Sequence, residues 1–296
     1  MGKSAVAHEL ARAGRLGILS ADSMLVYRGM DLGTAKPTVG ERAELPYWGV
    51  DCVDPDEDFS AGKFVQVARA AFAEAEVRKH GVLVAGGTGL YVQCLLHGLR
   101  AEGAVDQDLR ARLNALFAER GVAGLRDELA RLDPARLRAL ADPDNPRRLM
   151  RALERVGQPD SHPAWDRAAA PHLVGLRRTQ PDLEERMRRR VDEMFSAGLI
   201  AEARSLRDRF PDLSATAKQA IGYAEAWAVL DGRQTEMQAR AATLLRTRRL
   251  AKRQLTWFRH QARMLWIDVT PDMTIPDIAA AVLALWTDHG PTPLVL

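Results

Sequence analysis

Val82-Leu83-Val84-Ala85-Gly86-Gly87-Thr88-Gly89 decides the fold: four apolar residues suited to a buried strand, then a glycine turn, then a stretch from Leu90 to His97 that predicts a helix. Strand, glycine turn and helix in that order build parallel sheets, because the chain must cross over before it rejoins the sheet in the same direction. The same logic reads upstream. Leu16 to Ser20 is a short apolar run ending at Asp22, so a buried strand would deliver a carboxylate at its carboxyl end, the edge where open α/β sheets gather ligands. Between the two runs, Phe59 to Lys79 predicts a helix with Ser60 as its N-cap and Gly81 as its stop.

The chain opens on Met1-Gly2-Lys3-Ser4, the back half of a phosphate-binding loop. Such a loop needs glycines so that backbone N–H groups wrap phosphate oxygens, a lysine for the outer phosphates and a hydroxyl for Mg²⁺. Gly2, Lys3 and Ser4 supply the last three parts, with Ser4 as the metal ligand. Ala5 to Ala13 then reads as a helix whose N-terminus faces the anion. The expectation is an α/β fold, a P-loop NTPase-like parallel sheet flanked by helices.

From Asp106 to Glu154 the pattern is helical throughout, with starts at Asp133-Pro134 and Asn145-Pro146. This block predicts an all-helical insertion. Gly157 to Pro171 reads as a linker, His172 to Leu176 as a returning strand, and Asp182–Ser196 and Leu199–Phe210 as helices. A long helix is expected from about Thr235 to Gln261, then a strand at Met264–Asp268 and a closing helix at Thr274–His289. The implied division is residues 1–104 as the first part of a catalytic core, 105–170 as the insertion, and 171–296 as the second part of the core.

No apolar run approaches the roughly 20 residues that span a membrane, and the N-terminus carries no signal-like segment, so a cytoplasmic protein without membrane partners is expected. Cys52 and Cys94 make neither a disulfide framework nor a zinc site, and His8, His97, His162 and His172 have no metal-ligand spacing. The net charge of +3 is unevenly spread: residues 177–263 carry 19 Lys/Arg against 11 Asp/Glu, whereas residues 1–100 carry 11 against 12. That local excess suits a polyanion, and it equally suits a solvated arginine-rich surface.

The run Asp22-Ser23-Met24-Leu25-Val26-Tyr27-Arg28-Gly29-Met30-Asp31-Leu32-Gly33-Thr34-Ala35-Lys36-Pro37 resembles the signature of the tRNA dimethylallyltransferases, also called tRNA isopentenyltransferases. Four further stretches are similar to family motifs in the same order: Gly86-Gly87-Thr88-Gly89-Leu90-Tyr91, Asn145 to Glu154, Gln219-Ala220-Ile221-Gly222-Tyr223, and Ala251 to Arg259. The family begins with a strand and Gly-Pro-Thr ahead of the Gly-Lys-Ser, so the resemblance implies an N-terminally truncated member.

The resemblance implies transfer of a dimethylallyl group from dimethylallyl diphosphate to the N6 of the adenosine 3′ to the anticodon, with Mg²⁺ as cofactor and the tRNA anticodon stem-loop as partner. It implies Asp22 as general base, Thr88 at the substrate nucleotide, and Gly2, Lys3 and Ser4 on the diphosphate. For tRNA it implies Asp22, Ser23, Met24, Leu25, Thr88, Arg110, Arg147, Arg148, Leu149, Met150 and Arg151, in a protein expected to be a monomer. From the residues alone, Asp22 is equally a cap for the following turn or a metal-binding acid, and Thr88 a turn-stabilising hydroxyl. Competing readings are an adenylate isopentenyltransferase acting on free nucleotide, a small-molecule P-loop kinase, and an inactive tRNA-binding homologue. The helical block and the basic helices speak against the first, since a free nucleotide needs neither. The Asp22–Pro37 run speaks against the second.

Overall fold

A computed structural model of the chain describes residues 2–99, 106–140, 142–158 and 171–295. The predicted Gly157–Pro171 linker falls largely outside them. The described residues belong to two compact units, one formed by the chain up to Leu99 together with the segment from Trp165 onward, the other by the segment between.

In the first unit the strands are β1 (Leu16–Ala21), β2 (Tyr47–Trp48), β3 (Gly81–Gly86), β4 (His172–Arg178) and β5 (Arg263–Val269). Every pairing is parallel, as the strand–turn–helix rhythm predicts, but the strands divide into two sheets, ordered β2-β1-β3 and β4-β5. The helices are α1 (Lys3–Gly14), α2 (Val39–Glu44), α3 (Ala61–Arg78) and α4 (Gly89–His97) before the insertion. The insertion holds α5 (Gln107–Leu132), α6 (Pro134–Ala139) and α7 (Pro146–Glu154). After it come α8 (Gln180–Ser196), α9 (Leu199–Arg209), α10 (Tyr223–Leu230), α11 (Glu236–Gln261) and α12 (Ile275–His289).

Both faces of the β1–β3 pair are covered, which is why its strands read as continuous apolar runs. Ile18 and Leu83 face α1 and α12 through Val6, Leu10, Ile278 and Val282. Leu19, Val82 and Val84 face α3 and α4 through Phe64, Ala68, Tyr91 and Leu95. A third cluster joins Val26, Tyr27 and Met30 of the signature run to α8, α9 and α10. Ser60 caps α3 as the sequence predicts, and Thr235 and Thr274, expected only as helix bounds, cap α11 and α12.

β3 pairs with β1 and β4 with β5, and every residue of β3 and β4 also borders a cavity of about 1130 Å³. At its carboxyl-terminal side stands the start of α1. A Cβ built on Gly2 would lie 3.9 Å from Arg178 Nη2, and Lys3 Nζ approaches Gly87 at the end of β3.

The helical unit has its own core of Leu113, Leu125, Leu129, Leu149, Ala152 and Leu153. Asp133 and Asn145 cap α6 and α7 with proline in the first turn, as the sequence predicts. Gly121 breaks α5, with φ 62° and ψ −153°.

β1 and β3 meet most closely at Gly86, where an added Cβ would fall 2.2 Å from the Ala21 carbonyl oxygen. Backbone cannot retreat as a flexible side chain can. Gly86→Ala should therefore lower unfolding free energy by roughly 1–3 kcal/mol. Gly62→Ala, whose new methyl would meet nothing closer than 3.5 Å, should be neutral or stabilising by up to about 1 kcal/mol. Urea denaturation of the two variants tests the contrast.

Candidate functional site

Asp22 immediately follows β1, and the Gly86-Gly87-Thr88-Gly89 turn follows β3. The two ends are stitched together: Gly87 N and Thr88 N both donate to Ala21 O, at 3.2 and 3.0 Å. The Thr88 hydroxyl accepts from Ser23 N at 3.0 Å and donates to Ser23 Oγ at 3.4 Å. Met24 N donates to Asp22 Oδ1 at 2.9 Å, the only hydrogen bond Asp22 makes among the described residues. The capping bond and the turn-stabilising hydroxyl foreseen from the residues alone are thus both present. They leave the second carboxylate oxygen of Asp22 available for chemistry.

Lys3, on the first turn of α1, brings its Nζ to the same place. A side chain on Gly87 would collide with Lys3 Nζ at 2.9 Å and with Gln254 Nε2 at 2.4 Å. Gln254 of α11 in turn donates to Gly87 O at 3.0 Å, and the Trp257 ring lies over Gly89. Burial lowers the basicity of the Lys3 amine; the charge of Asp22 partly offsets that, and the charge of Arg190 adds to it.

Arg190 is a site residue that sequence reasoning missed. It lies on α8 and donates from Nη2 to Thr34 O at 3.3 Å. Surrounding protein lowers its pKa, against the pull of Asp22 and Glu193, but a guanidinium on an exposed side chain stays cationic. Lys3, Asp22 and Arg190 therefore form a cluster of two cations about one carboxylate. Nothing in the sequence distinguishes Arg190 from the neighbouring arginines of α8; only the fold selects it.

The Asp22–Pro37 run is chiefly an anchored loop. Lys36, with 1% of its side chain exposed, donates to Tyr27 O at 2.7 Å and to Asp51 Oδ1 at 2.6 Å, and it pairs with Asp31 at 2.6 Å. Arg42 grips the other oxygen of Asp51 at 2.5 Å. Burial works against the Asp51 carboxylate, but the bonds and charges of Lys36 and Arg42 outweigh it and hold its pKa below the ordinary value. On the opposite side, Glu202 accepts from Asp31 N and Leu32 N and from the Tyr223 hydroxyl, which also receives Gly33 N at 3.2 Å. Burial raises the Glu202 pKa despite those bonds, and burial and Glu202 together raise that of Tyr223.

The remaining sequence-predicted residues fall into place as follows. Ser4 is exposed on the first turn of α1. Met24 packs against the cluster that holds Tyr27, and Leu25 is buried. Arg110, Arg147, Arg148, Leu149, Met150 and Arg151 all lie in the helical unit. Arg110 and Arg151 both pair with Glu154, which keeps only 7% of its side chain exposed. Arg147 and Arg148 are exposed.

Leu149 is fully buried in the helical core, Met150 packs against that core, and Leu25 is buried inside the main unit. Among the described residues no group of three His, Cys, Asp or Glu side chains is placed to hold a metal.

The profile of the IPP transferase family matches residues 25–261. A tRNA dimethylallyltransferase of Moorella thermoacetica is 43% identical over 299 residues, spanning 95% of this chain and 90% of its own length. Another, from Verminephrobacter eiseniae, is 39% identical over 98% of this chain and 94% of its own. The crystal structure of the full-length tRNA isopentenylpyrophosphate transferase from Bacillus halodurans superposes with a TM-score of 0.69 at 37% identity, covering 97% of this chain and 94% of that one. A eukaryotic dimethylallyltransferase acting on tRNA shares the fold, with a TM-score of 0.76 at 21% identity over 98% of this chain and 78% of its own.

Lys36→Met would leave two carboxylates and a buried carbonyl without their shared cation. It should cost roughly 3 kcal/mol of stability at neutral pH. Because the Asp51 pKa is depressed in the folded state, its contribution is present above the unfolded value near 4 and is lost as pH falls through the lowered folded value. The variant should accordingly show a flatter loss of stability below about pH 4 than the parent. Urea titrations between neutral pH and that range check both statements.

Proposed function

The chain belongs to the IPP transferase family, and on that premise we propose that it carries a dimethylallyl group from dimethylallyl diphosphate to the N6 of the adenosine 3′ to the anticodon of tRNA. The observation that carries this reading is the placement of Asp22 at a strand end beside Lys3. A carboxylate able to take a proton stands next to a cation and a helix N-terminus able to receive a diphosphate.

In the reaction the N6 nitrogen forms a bond to C1 of the allyl group as the C1–oxygen bond breaks. The bonding electrons leave with pyrophosphate, and the N6 proton passes to Asp22. An exocyclic amine on a purine is a poor nucleophile, so removing its proton as the bond forms lowers the barrier. Lys3 and the open N–H groups of the first turn of α1 meet the charge that grows on the departing oxygen. Thr88 fixes Ser23 and thereby the approach to Asp22. Arg190, whose charge is felt at Asp22, adds a second cation to the site.

A magnesium ion keeps most of its ligands as water and substrate phosphate oxygens, so one exposed hydroxyl suffices on the protein side. Ser4 would be its protein ligand, and its charge would help neutralise pyrophosphate. The tRNA would meet Ser23, Met24 and Thr88 in the main unit and the exposed Arg147 and Arg148 of the helical unit. The base would have to leave its stack for N6 to reach a carboxylate at a strand end. Among the described residues no helix is long and apolar enough to cross a membrane; we place the protein in the cytoplasm, where tRNA is, as a monomer.

Incubating the chain with Mg²⁺, dimethylallyl diphosphate and unmodified tRNA should give N6-prenylated adenosine detectable by mass spectrometry. Prenylation of free AMP alone would instead make it a cytokinin-type enzyme, and tRNA binding with no prenylation in either mixture would make it a binding homologue. Asp22→Ala should reduce turnover by roughly 10²–10⁴-fold with tRNA affinity largely kept. Turnover near that of the parent would remove Asp22 from the role of base. Affinity for tRNA should fall steeply with added salt, since phosphate contacts release counterions.

A further inference from the structure

Arg178 ends β4 with 3% of its side chain exposed. Asp182, in the first turn of α8, receives its Nη1 at 2.7 Å and also binds Arg186. That pairing occupies one of the three guanidinium nitrogens. Nε is buried and donates to nothing among the described residues, while Nη2 faces Gly2 across 3.9 Å measured to a Cβ built there. Buried N–H donors without an acceptor are rare in native proteins and call for an explanation.

The explanation lies in what Arg178 faces. α1 begins at that point with no side-chain cap, so the N–H groups of its first turn are open to an anion. Lys3, on the same turn, borders the same cavity as Arg178. A helix start and a lysine amine on α1 and an unused guanidinium edge at the end of β4 converge. Asp182 holds the guanidinium at a fixed angle, which suits two-point contact with phosphate oxygens.

We propose that Arg178 is a donor-binding residue whose guanidinium grips the diphosphate together with Lys3 and the first turn of α1. The identity of the anion as the prenyl donor rests on the reading of function given above; the site itself does not. A backbone phosphate of tRNA has the same chemistry and is the competing occupant.

Calorimetric titration of inorganic pyrophosphate with Mg²⁺ into the parent chain, Arg178→Met and Arg178→Lys tests the site. Arg178→Met should bind about 10- to 100-fold more weakly, as expected for loss of a charged hydrogen-bonding partner, and Arg178→Lys should be intermediate. KM for dimethylallyl diphosphate should rise in parallel while affinity for anticodon stem-loop RNA stays unchanged. Equal pyrophosphate affinity in parent and Arg178→Met overturns the proposal, as does a parent that binds no pyrophosphate. Should Arg178→Met fail to fold, Arg178→Lys keeps the charge opposite Asp182 and decides alone: parental affinity in it counts against the site.

Displacement of pyrophosphate by dimethylallyl diphosphate confirms the donor as occupant. Displacement by stem-loop RNA and not by the donor overturns that assignment. A parent chain that binds pyrophosphate through Arg178 yet never prenylates tRNA would overturn the functional reading and leave the anion site standing.

Discussion

The Ala21 carbonyl oxygen accepts two backbone N–H groups, from Gly87 and Thr88, and the geometry of the site hangs on that convergence. It fixes the carboxyl ends of β1 and β3 to each other at the level where both strands stop being sheet. Asp22 leaves one end and the glycine turn leaves the other, so the carboxylate and the turn can only face each other. The absence of a side chain at Gly86 and Gly87 is what allows the approach, with backbone on one side and Lys3 and Gln254 on the other. Chemistry at such a point inherits the stiffness of a sheet without its hydrogen-bonding being exhausted.

The loop that follows Asp22 has little regular structure, yet Val26, Tyr27 and Met30 within it are wholly buried. A buried irregular segment must find partners for its backbone outside a ladder. Here side chains provide them: Lys36 takes the Tyr27 carbonyl, Glu202 takes two N–H groups, and Tyr223 takes a third. Most of the long signature run is therefore explained by the need to hold one loop still. Charged groups suit this task because misplacing any of them leaves a partner buried and unsatisfied, which favours one arrangement over its neighbours.

The strands and long helices were legible because their signals are local. Apolar runs, one ending at Asp22 and the other closed by glycine, gave β1 and β3, and Ser60, Thr235, Thr274, Asp133 and Asn145 stand at helix starts, where their side chains cap the helices in the structure. α2, β2 and α10 escaped: two are six residues or fewer, and α10 is one buried helix of eight residues in a segment without a clear period. The division of the strands into two sheets was not legible either, since pairing is a long-range property. At the site, Asp22, Thr88 and Lys3 came from motifs. Arg190 and Glu202 sit on helices whose sequences resemble any charged surface, Gln254 lies in a motif that assigned it no role, and their meaning appears only when the helices dock. Leu149, spaced three and four residues from Ala152 and Leu153, belongs to an apolar stripe that faces the helical core.

Gln254 reaches Gly87 across 167 positions of chain, Tyr223 reaches Gly33 across 190, and Glu202 reaches Asp31 across 171. Contacts that close such long loops form late, because the entropy of closure must be met before the bonds repay it. During synthesis the Asp22 loop leaves the ribosome well before the residues that pin it exist. A nascent chain therefore holds the motif but no site, and the Asp31, Leu32 and Gly33 N–H groups wait for Glu202 and Tyr223. The interval between emergence of the loop and arrival of α11 is the stretch of this protein's life in which it is most exposed to misfolding and proteolysis.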